Sequence, residues 1–316
     1  MAVDWFGTPM VPLPGGYSGE TFLVGDGDGA LVLRIYRRSP ERGGIDASLL
    51  RLVRGIIPVP AVVEIRRSTG DTPAILVVER LRGVSLDRVL HDAPSDLDVE
   101  RLATSVGRLL GLLSGIPFLQ PGFFTDTALR VGQDGMAGDL GEWAHHHRVT
   151  GRLASWSEQD WRALLGLVDD AQRLLDGEAA RTPGRTVLAH SDFNPKNILV
   201  DPVTCEVTGL VDWEFAHAGS VYTDVGNFTR FERDERLVGP LVEAFVDQAP
   251  GCLVDPIRLG RAMDLWALLE LASRPAAHPV AAQAARLLLA QARAGDLAAW
   301  PWQTPRVDPA GAGAVS

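Results

Sequence analysis

Apolar and polar positions along the chain follow two periods, and the change from one to the other divides it. Between residues 11 and 36 short apolar blocks alternate with polar positions and are broken by glycine. VPLPGGYSGETFLV followed by the turn Gly25-Asp26-Gly27-Asp28-Gly29 and then ALVLRIY predicts a β-hairpin ending in a buried strand. Over residues 41–53 the period becomes helical, with Ile45, Leu49, Leu52 and Val53 on one face. Pro58-Val59-Pro60 ends that helix. Strands follow at 61–66 and 74–79, joined by a turn through 68–72. Beyond residue 85 the pattern is mainly helical: 85–116, where Ser85-Leu86-Asp87 offers a cap, then 157–177, 236–249, 256–273 and 280–295. Residues 117–140 show little period and predict an extended loop, one candidate wall of a binding pocket. His145-His146-His147 fall on different faces of a helix, which predicts partly exposed residues and no metal pair. The Pro-, Gly- and Ala-rich residues 304–316 read as a disordered tail.

One stretch breaks this alternation with chemistry. Residues 188–215, LAHSDFNPKNILVDPVTCEVTGLVDWEF, give an apolar lead-in, a polar loop, a short strand, a turn, a second strand and an acid. Such a hairpin brings Asp192, Asn197 and Asp212 to one edge. There an aspartate that can take a proton lies beside oxygen donors suited to a hard cation. That is the equipment of phosphoryl transfer, where positioning and charge neutralisation supply most of the catalysis. A surface hairpin with turn-forming Asp, Asn and Pro is the plain alternative.

His190-Ser191-Asp192-Phe193-Asn194-Pro195-Lys196-Asn197 matches the kinase catalytic-loop spacing H-x-D-x-x-x-x-N, with Ser191 at the usual arginine. Val211-Asp212-Trp213-Glu214 stands where protein kinases carry D-F-G, and Asp224 follows. In these motifs the chain resembles the aminoglycoside phosphotransferase and choline kinase-like family. The resemblance implies an α+β, two-lobed protein-kinase-like fold. Its parts would be a small antiparallel β lobe with one helix over 1–82, a large mainly helical lobe over 83–303, and the tail. It implies Asp192 as catalytic base, Asn197 and Asp212 as Mg2+ ligands, and Asp224 as a structural brace of the catalytic loop. Lys196, inside that loop, is a candidate to face the γ-phosphate. Arg34, in Leu31-Val32-Leu33-Arg34, stands where protein kinases place a phosphate-binding lysine, and its fork can grip phosphate. Asp46 is the candidate acid to pair with it, a solvent-facing aspartate being the alternative. Gly15, Gly16, Ser18 and Gly19 could offer N–H groups to phosphate, although their spacing is not G-x-G-x-x-G. Glu79, Arg80 and Leu81 fall on the connector whose backbone would meet the nucleotide base.

Charge then narrows the acceptor. Residues 1–83 carry ten arginines against nine acids, whereas the remainder carries twenty basic residues against thirty-one acids, and the whole is −10. An acidic large lobe argues against nucleic acid, which needs clustered Lys and Arg, and suits a cationic acceptor, plain solubility being the alternative reading. The segment after Asp212 is too short for a protein kinase's activation loop, which favours a small-molecule hydroxyl acceptor. No apolar run reaches a membrane-spanning length, and no signal peptide is visible. Cys205 and Cys252 give no metal or redox spacing and fit buried thiols in a reducing cytoplasm. The expectation is therefore a cytoplasmic Mg2+- and ATP- (or GTP-) dependent antibiotic kinase, acting on an aminoglycoside or basic cyclic peptide and giving resistance. The alternatives are a kinase of a metabolite or macrolide (choline, homoserine, sugar) and a degenerate kinase that binds nucleotide without catalysis. Monomer and homodimer are both left open.

Overall fold

A computed structural model describes residues 8–13, 20–69, 72–92, 94–132, 139–149, 151–251, 253–275 and 277–302. Ser18, Gly19, Gly15, Gly16, Cys252 and the tail from 304 lie outside the described residues.

The chain begins with β1 (Met10–Pro12), β2 (Glu20–Val24) and β3 (Leu31–Tyr36), then α1 (Pro40–Val53), β4 (Val62–Arg66) and β5 (Ala74–Glu79). The five strands make one antiparallel sheet in the order β1-β2-β3-β5-β4. Period-two alternation puts Val32, Arg34 and Tyr36 on one face of β3. Tyr36 on that face packs against Gly43 of α1, where an added Cβ would come within 3.0 Å of the ring. Leu33, Val24 and Val77 form a small separate cluster. In α1 the buried residues are Gly43, Ile45, Asp46, Ala47, Leu49, Leu50 and Val53. Leu52, expected inside, is exposed because the buried stripe runs past it.

The second lobe starts with β6 (Val84–Ser85), α2 (Leu86–His91) and α3 (Asp96–Leu113). Ser95 caps α3 by accepting the Asp98 N–H. The region expected to be an extended loop contains β7 (Pro117–Phe118) and β8 (Gly122–Phe123). Then come α4 (Leu140–His147), α5 (Glu158–Arg181), β9 (Thr186–Ala189), β10 (Ile198–Val200), β11 (Val207–Leu210) and β12 (His217–Gly219). Helices α6 (Thr223–Thr229), α7 (Glu235–Gln248), α8 (Pro256–Ser273) and α9 (Ala281–Ala294) complete the lobe. Two further antiparallel sheets, β11-β10-β6 and β7-β9-β12-β8, hold the motif-bearing loops. One core runs from Tyr36, Ile45 and Leu49 through Leu102, Leu110, Phe193 and Leu210 to Leu241, so the lobes share it. A second core joins α4, α5, α8 and α9 around Trp161, Leu164, Leu265 and Leu288.

Two expectations are corrected or completed here. His147 is buried, with Nδ1 at 2.8 Å from the Ser273 hydroxyl, because Leu140, Ala144 and His147 form the inward stripe of α4. Asp264 is buried and forms an ion pair with Arg230 at 2.6 Å. Cys205 is a buried thiol, as expected. No helix among the described residues is long and apolar enough to cross a membrane.

Candidate active site

The loop after β9 is held by hydrogen bonds before it reaches Asp192. His190 is fully buried, and its backbone N–H donates to Asp224 Oδ2 at 2.8 Å. The Ser191 N–H donates to Asp224 Oδ1 at 2.7 Å, so one carboxylate from α6 takes both amides, as a brace should. Burial pushes Asp224 up to about 7, against the pull of these two N–H donors, and the charge of Asp192 adds to the rise. Ser191 itself sits at φ 66°, a left-handed conformation that costs a serine energy and is held by the amides on either side. Its hydroxyl lies 2.8 Å from Nδ1 of buried His217. The Asp192 N–H donates to His190 Nδ1, so the imidazole proton sits on Nε2, 3.0 Å from the Val211 carbonyl. Burial lowers His190 to about 4, consistent with a neutral ring.

Asp192 is fixed by two amides. Asn194 Nδ2 donates to its Oδ1 at 2.8 Å and Asn197 Nδ2 to its Oδ2 at 2.7 Å. Burial raises its pKa; the two amides oppose this, the nearby charge of Asp212 reinforces it, and Arg230 counters. Asn197 also gives Nδ2 to the Asp192 carbonyl at 2.9 Å. Its side-chain Oδ1 is therefore turned away, with no hydrogen-bond partner among the described residues. The pairing Ile198↔Leu210 and the bond from the Val211 N–H to the Asn197 carbonyl (3.0 Å) bring Asp212 alongside Asn197. Asp212 lies at φ 66°, the second strained non-glycine turn of the site. Asp192, Asn197 and Asp212 are thus drawn together from one bend of the chain.

Arg34 reaches into this site from the sheet. Its Nη1 donates to Asp212 Oδ1 at 2.6 Å and its Nη2 to Glu214 Oε2. Burial works against the guanidinium charge, but Tyr36, Asp212 and Glu214 more than offset it and raise its pKa. Burial and the neighbouring Asp212 push Glu214 up to about 7, while Arg34 opposes. The expected Arg34–Asp46 pair is not formed. Asp46 is buried and accepts from the Tyr36 hydroxyl at 2.7 Å and from Arg42 Nε at 2.6 Å. Arg42 stands one helical turn before Asp46, so the shorter local pair wins over the longer reach to Arg34. Arg42 Nη2 continues to the Trp213 carbonyl at 2.5 Å. Glu214, Arg42 and Asn194 were not singled out from the sequence. The Asp-Trp-Glu run and the Arg42/Asp46 spacing were the available signals.

Lys196 is exposed and its side chain makes no hydrogen bond or ion pair with Asp192 among the described residues; its N–H closes a turn onto Asn194 Oδ1 at 3.0 Å. On the connector, the Glu79 N–H donates to the Ala61 carbonyl at 2.9 Å and the Arg80 N–H to the Ala30 carbonyl at 3.4 Å. The Leu81 N–H has no hydrogen-bond partner among the described residues, and the Leu81 side chain rests on Gly209 of β11. Among the described residues no cluster of three or more His, Cys, Asp or Glu is placed to hold a metal. The donors at hand are one amide oxygen and one carboxylate, the small set that magnesium completes with phosphate oxygens and water. A cavity between α5, α8 and the end of α9, lined by Leu167, Arg173, Arg258 and Arg261, contains none of these side chains.

A small antiparallel sheet with one helix, joined to a helical lobe that carries this braced loop, defines the kinase-like class of fold. The model of the phosphotransferase enzyme family matches residues 10–254, and the chain belongs to that family. An aminoglycoside 3'-phosphotransferase of Streptomyces fradiae is 29% identical over 187 residues, 58% of this chain. That match spans 63% of the relative, less than two thirds of its length. Among solved structures, a putative aminoglycoside phosphotransferase from Ralstonia eutropha JMP134 is similar with a TM-score of 0.67 and 15% identity, covering 91% of both chains. A thermostable mutant of aminoglycoside phosphotransferase APH(4)-Ia, in ternary complex with AMP-PNP and hygromycin B, is similar with a TM-score of 0.59 and 19% identity, covering 90% of both.

Proposed function

We propose that this chain is an O-phosphotransferase. It moves the γ-phosphate of ATP or GTP to a hydroxyl of a small cationic acceptor, an aminoglycoside or basic cyclic peptide antibiotic, and so gives resistance. The observation that carries the reading is the carboxylate of Asp192, held at both oxygens by Asn194 and Asn197 next to Asp212. Family membership and the antibiotic named for the APH(4)-Ia complex support it.

Asn197 and Asp212 would hold magnesium, which when bound neutralises charge on the phosphate oxygens. Asp192 would orient the acceptor hydroxyl in line with the γ-phosphorus and accept its proton late in the transfer. The two amides that fix Asp192 keep its oxygens from turning away before the acceptor arrives. Arg34 would add positive charge at the phosphates, and Lys196, unpaired on the loop surface, would swing to the transferring group. The connector from Glu79 to Leu81 would meet the base through its backbone, the Leu81 N–H being the free donor. Asp46, paired with Tyr36 and Arg42, makes no direct contact with the nucleotide in this reading.

The test is phosphate transfer by the purified chain, with ATP or GTP and Mg2+, across a panel of hydroxyl-bearing antibiotics followed by mass spectrometry. Asp192→Ala is expected to lower turnover by about 10²–10⁴ while nucleotide binding persists. Near-normal turnover would remove the base assignment. Lys196→Ala is expected to slow turnover as well, and an unchanged rate would remove Lys196 from the site. A chain that consumes no nucleotide with any acceptor, yet binds MgATP, would be a nucleotide-binding module instead.

A further inference from the structure

Two arginines and two acids close a circuit between the lobes, and its members were expected to do different work. In protein kinases an acid on the helix of the small lobe holds the phosphate-binding cation of the sheet. Here the inward acid of that helix, Asp46, is saturated by Tyr36 and Arg42. Arg34 instead takes Glu214, whose side chain is only 6% exposed, from the turn that follows β11. It also takes Asp212, which is 25% exposed. A magnesium ion on Asp212 would compete for that second contact, leaving Glu214 as the acid that can stay on Arg34. Arg42 holds the Trp213 carbonyl, one peptide before Glu214, and the Arg34 guanidinium lies 5.3 Å from the centre of the Tyr36 ring. The circuit thus runs Arg34, Glu214, Trp213, Arg42, Asp46, Tyr36 and back along β3.

We propose that Glu214 is the positioning residue for Arg34, with Asp46 and Arg42 acting one step away by fixing the turn that carries it. An arginine suits this arrangement because its planar fork has two usable edges. One stays on Glu214 while Nη1, released from Asp212, turns to the nucleotide phosphates. The inference rests on the phosphotransferase reading, and its test separates the two.

The experiment is a double-mutant cycle on MgATP binding, by titration calorimetry, with KM and kcat measured alongside. Glu214→Gln is expected to weaken MgATP binding about tenfold and to leave the KM of the acceptor unchanged. In an Arg34→Met background the same substitution is expected to cost nothing further. If Glu214→Gln unfolds the protein, Glu214→Asp keeps the charge and shortens the reach, and its loss must likewise vanish on Arg34→Met. Losses that multiply, or a Glu214→Gln defect restored by raising Mg2+, would show that Glu214 acts elsewhere and overturn the proposal. Absence of MgATP binding by the wild-type chain would refute the phosphotransferase reading itself.

Discussion

His190 and Asp224 share a hydrogen bond and shift in opposite senses, which makes the loop after β9 testable one residue at a time. Asp224 rises from 3.8 to about 7 in the fold. Its contribution to stability is complete below about 3.8 and is lost as pH rises through 7, because the native state binds the extra proton. His190 falls from 6.5 to about 4. Its contribution is present above 6.5 and is lost as pH falls through 4, because the unfolded ring takes the proton first. Between about 4 and 6.5 the two slopes oppose each other, so the wild-type curve should be flattened. Asp224→Asn removes one slope. Its unfolding free energy from urea denaturation, relative to wild type, is expected to climb from pH 4 to pH 6.5, by an amount on the order of a few kcal/mol. His190→Gln should give the opposite tilt. Curves parallel to wild type in both variants would mean that neither group is shifted by burial. The same pair shows how the loop is locked. His190 ties Asp192 to the strand before Asp212, and Asp224 ties the whole loop to α6.

At the scale of elements, the two lobes were written in the chain with different legibility. Strands β4 and β5 and helices α1, α7, α8 and α9 begin and end within a residue or so of their periodic patterns, since each buries one face along its whole length. The short strands β6, β7, β8 and β12 were not legible. Two or three residues hold no alternation, and their partners arrive from distant parts of the chain, as His217 does opposite Ala189 and Phe123. The loop from His190 to Asn197 and Asp212 stood out because their residues are close in sequence. The Arg34 circuit did not, because its ends lie 180 positions apart, from β3 to the turn beyond β11. The connector is fixed by Gly83, at φ 123°, where a Cβ would lie 2.3 Å from the Thr208 hydroxyl. Helix packing is equally tight at Gly107 of α3, where a Cβ would stand 2.2 Å from the Leu241 carbonyl of α7. Gly107→Ala must push two backbones apart, and a loss of about 1–3 kcal/mol in chemical denaturation is expected. Turnover at temperatures where the variant stays folded should be retained, since the site lies on other elements. A neutral Gly107→Ala would mean the helices slide apart at little cost.

For the whole molecule the governing feature is the uneven charge. The part from residue 84 onward carries an excess of eleven negative charges, while residues 1–83 are close to balance. Some of that acid is spent internally, as Asp264 is on Arg230 and Glu178 on Arg181, which the count already includes. The remainder sets a field that draws a cation toward the large lobe and repels an anion from it. An anionic nucleotide therefore needs local help, which Arg34 and a bound metal would provide, whereas a cationic acceptor would be steered from a distance. The two substrates should respond differently to salt. Raising ionic strength from about 0.01 M to 0.15 M shortens the screening length from about 30 Å to about 8 Å. Under the proposed function, kcat/KM for a polycationic antibiotic is expected to fall several-fold over that range at saturating MgATP. For an uncharged hydroxyl acceptor it should hold nearly constant, so comparing the two removes any effect of salt on folding or on the metal. Equal salt responses would mean that the acidic lobe serves solubility and takes no part in choosing the acceptor.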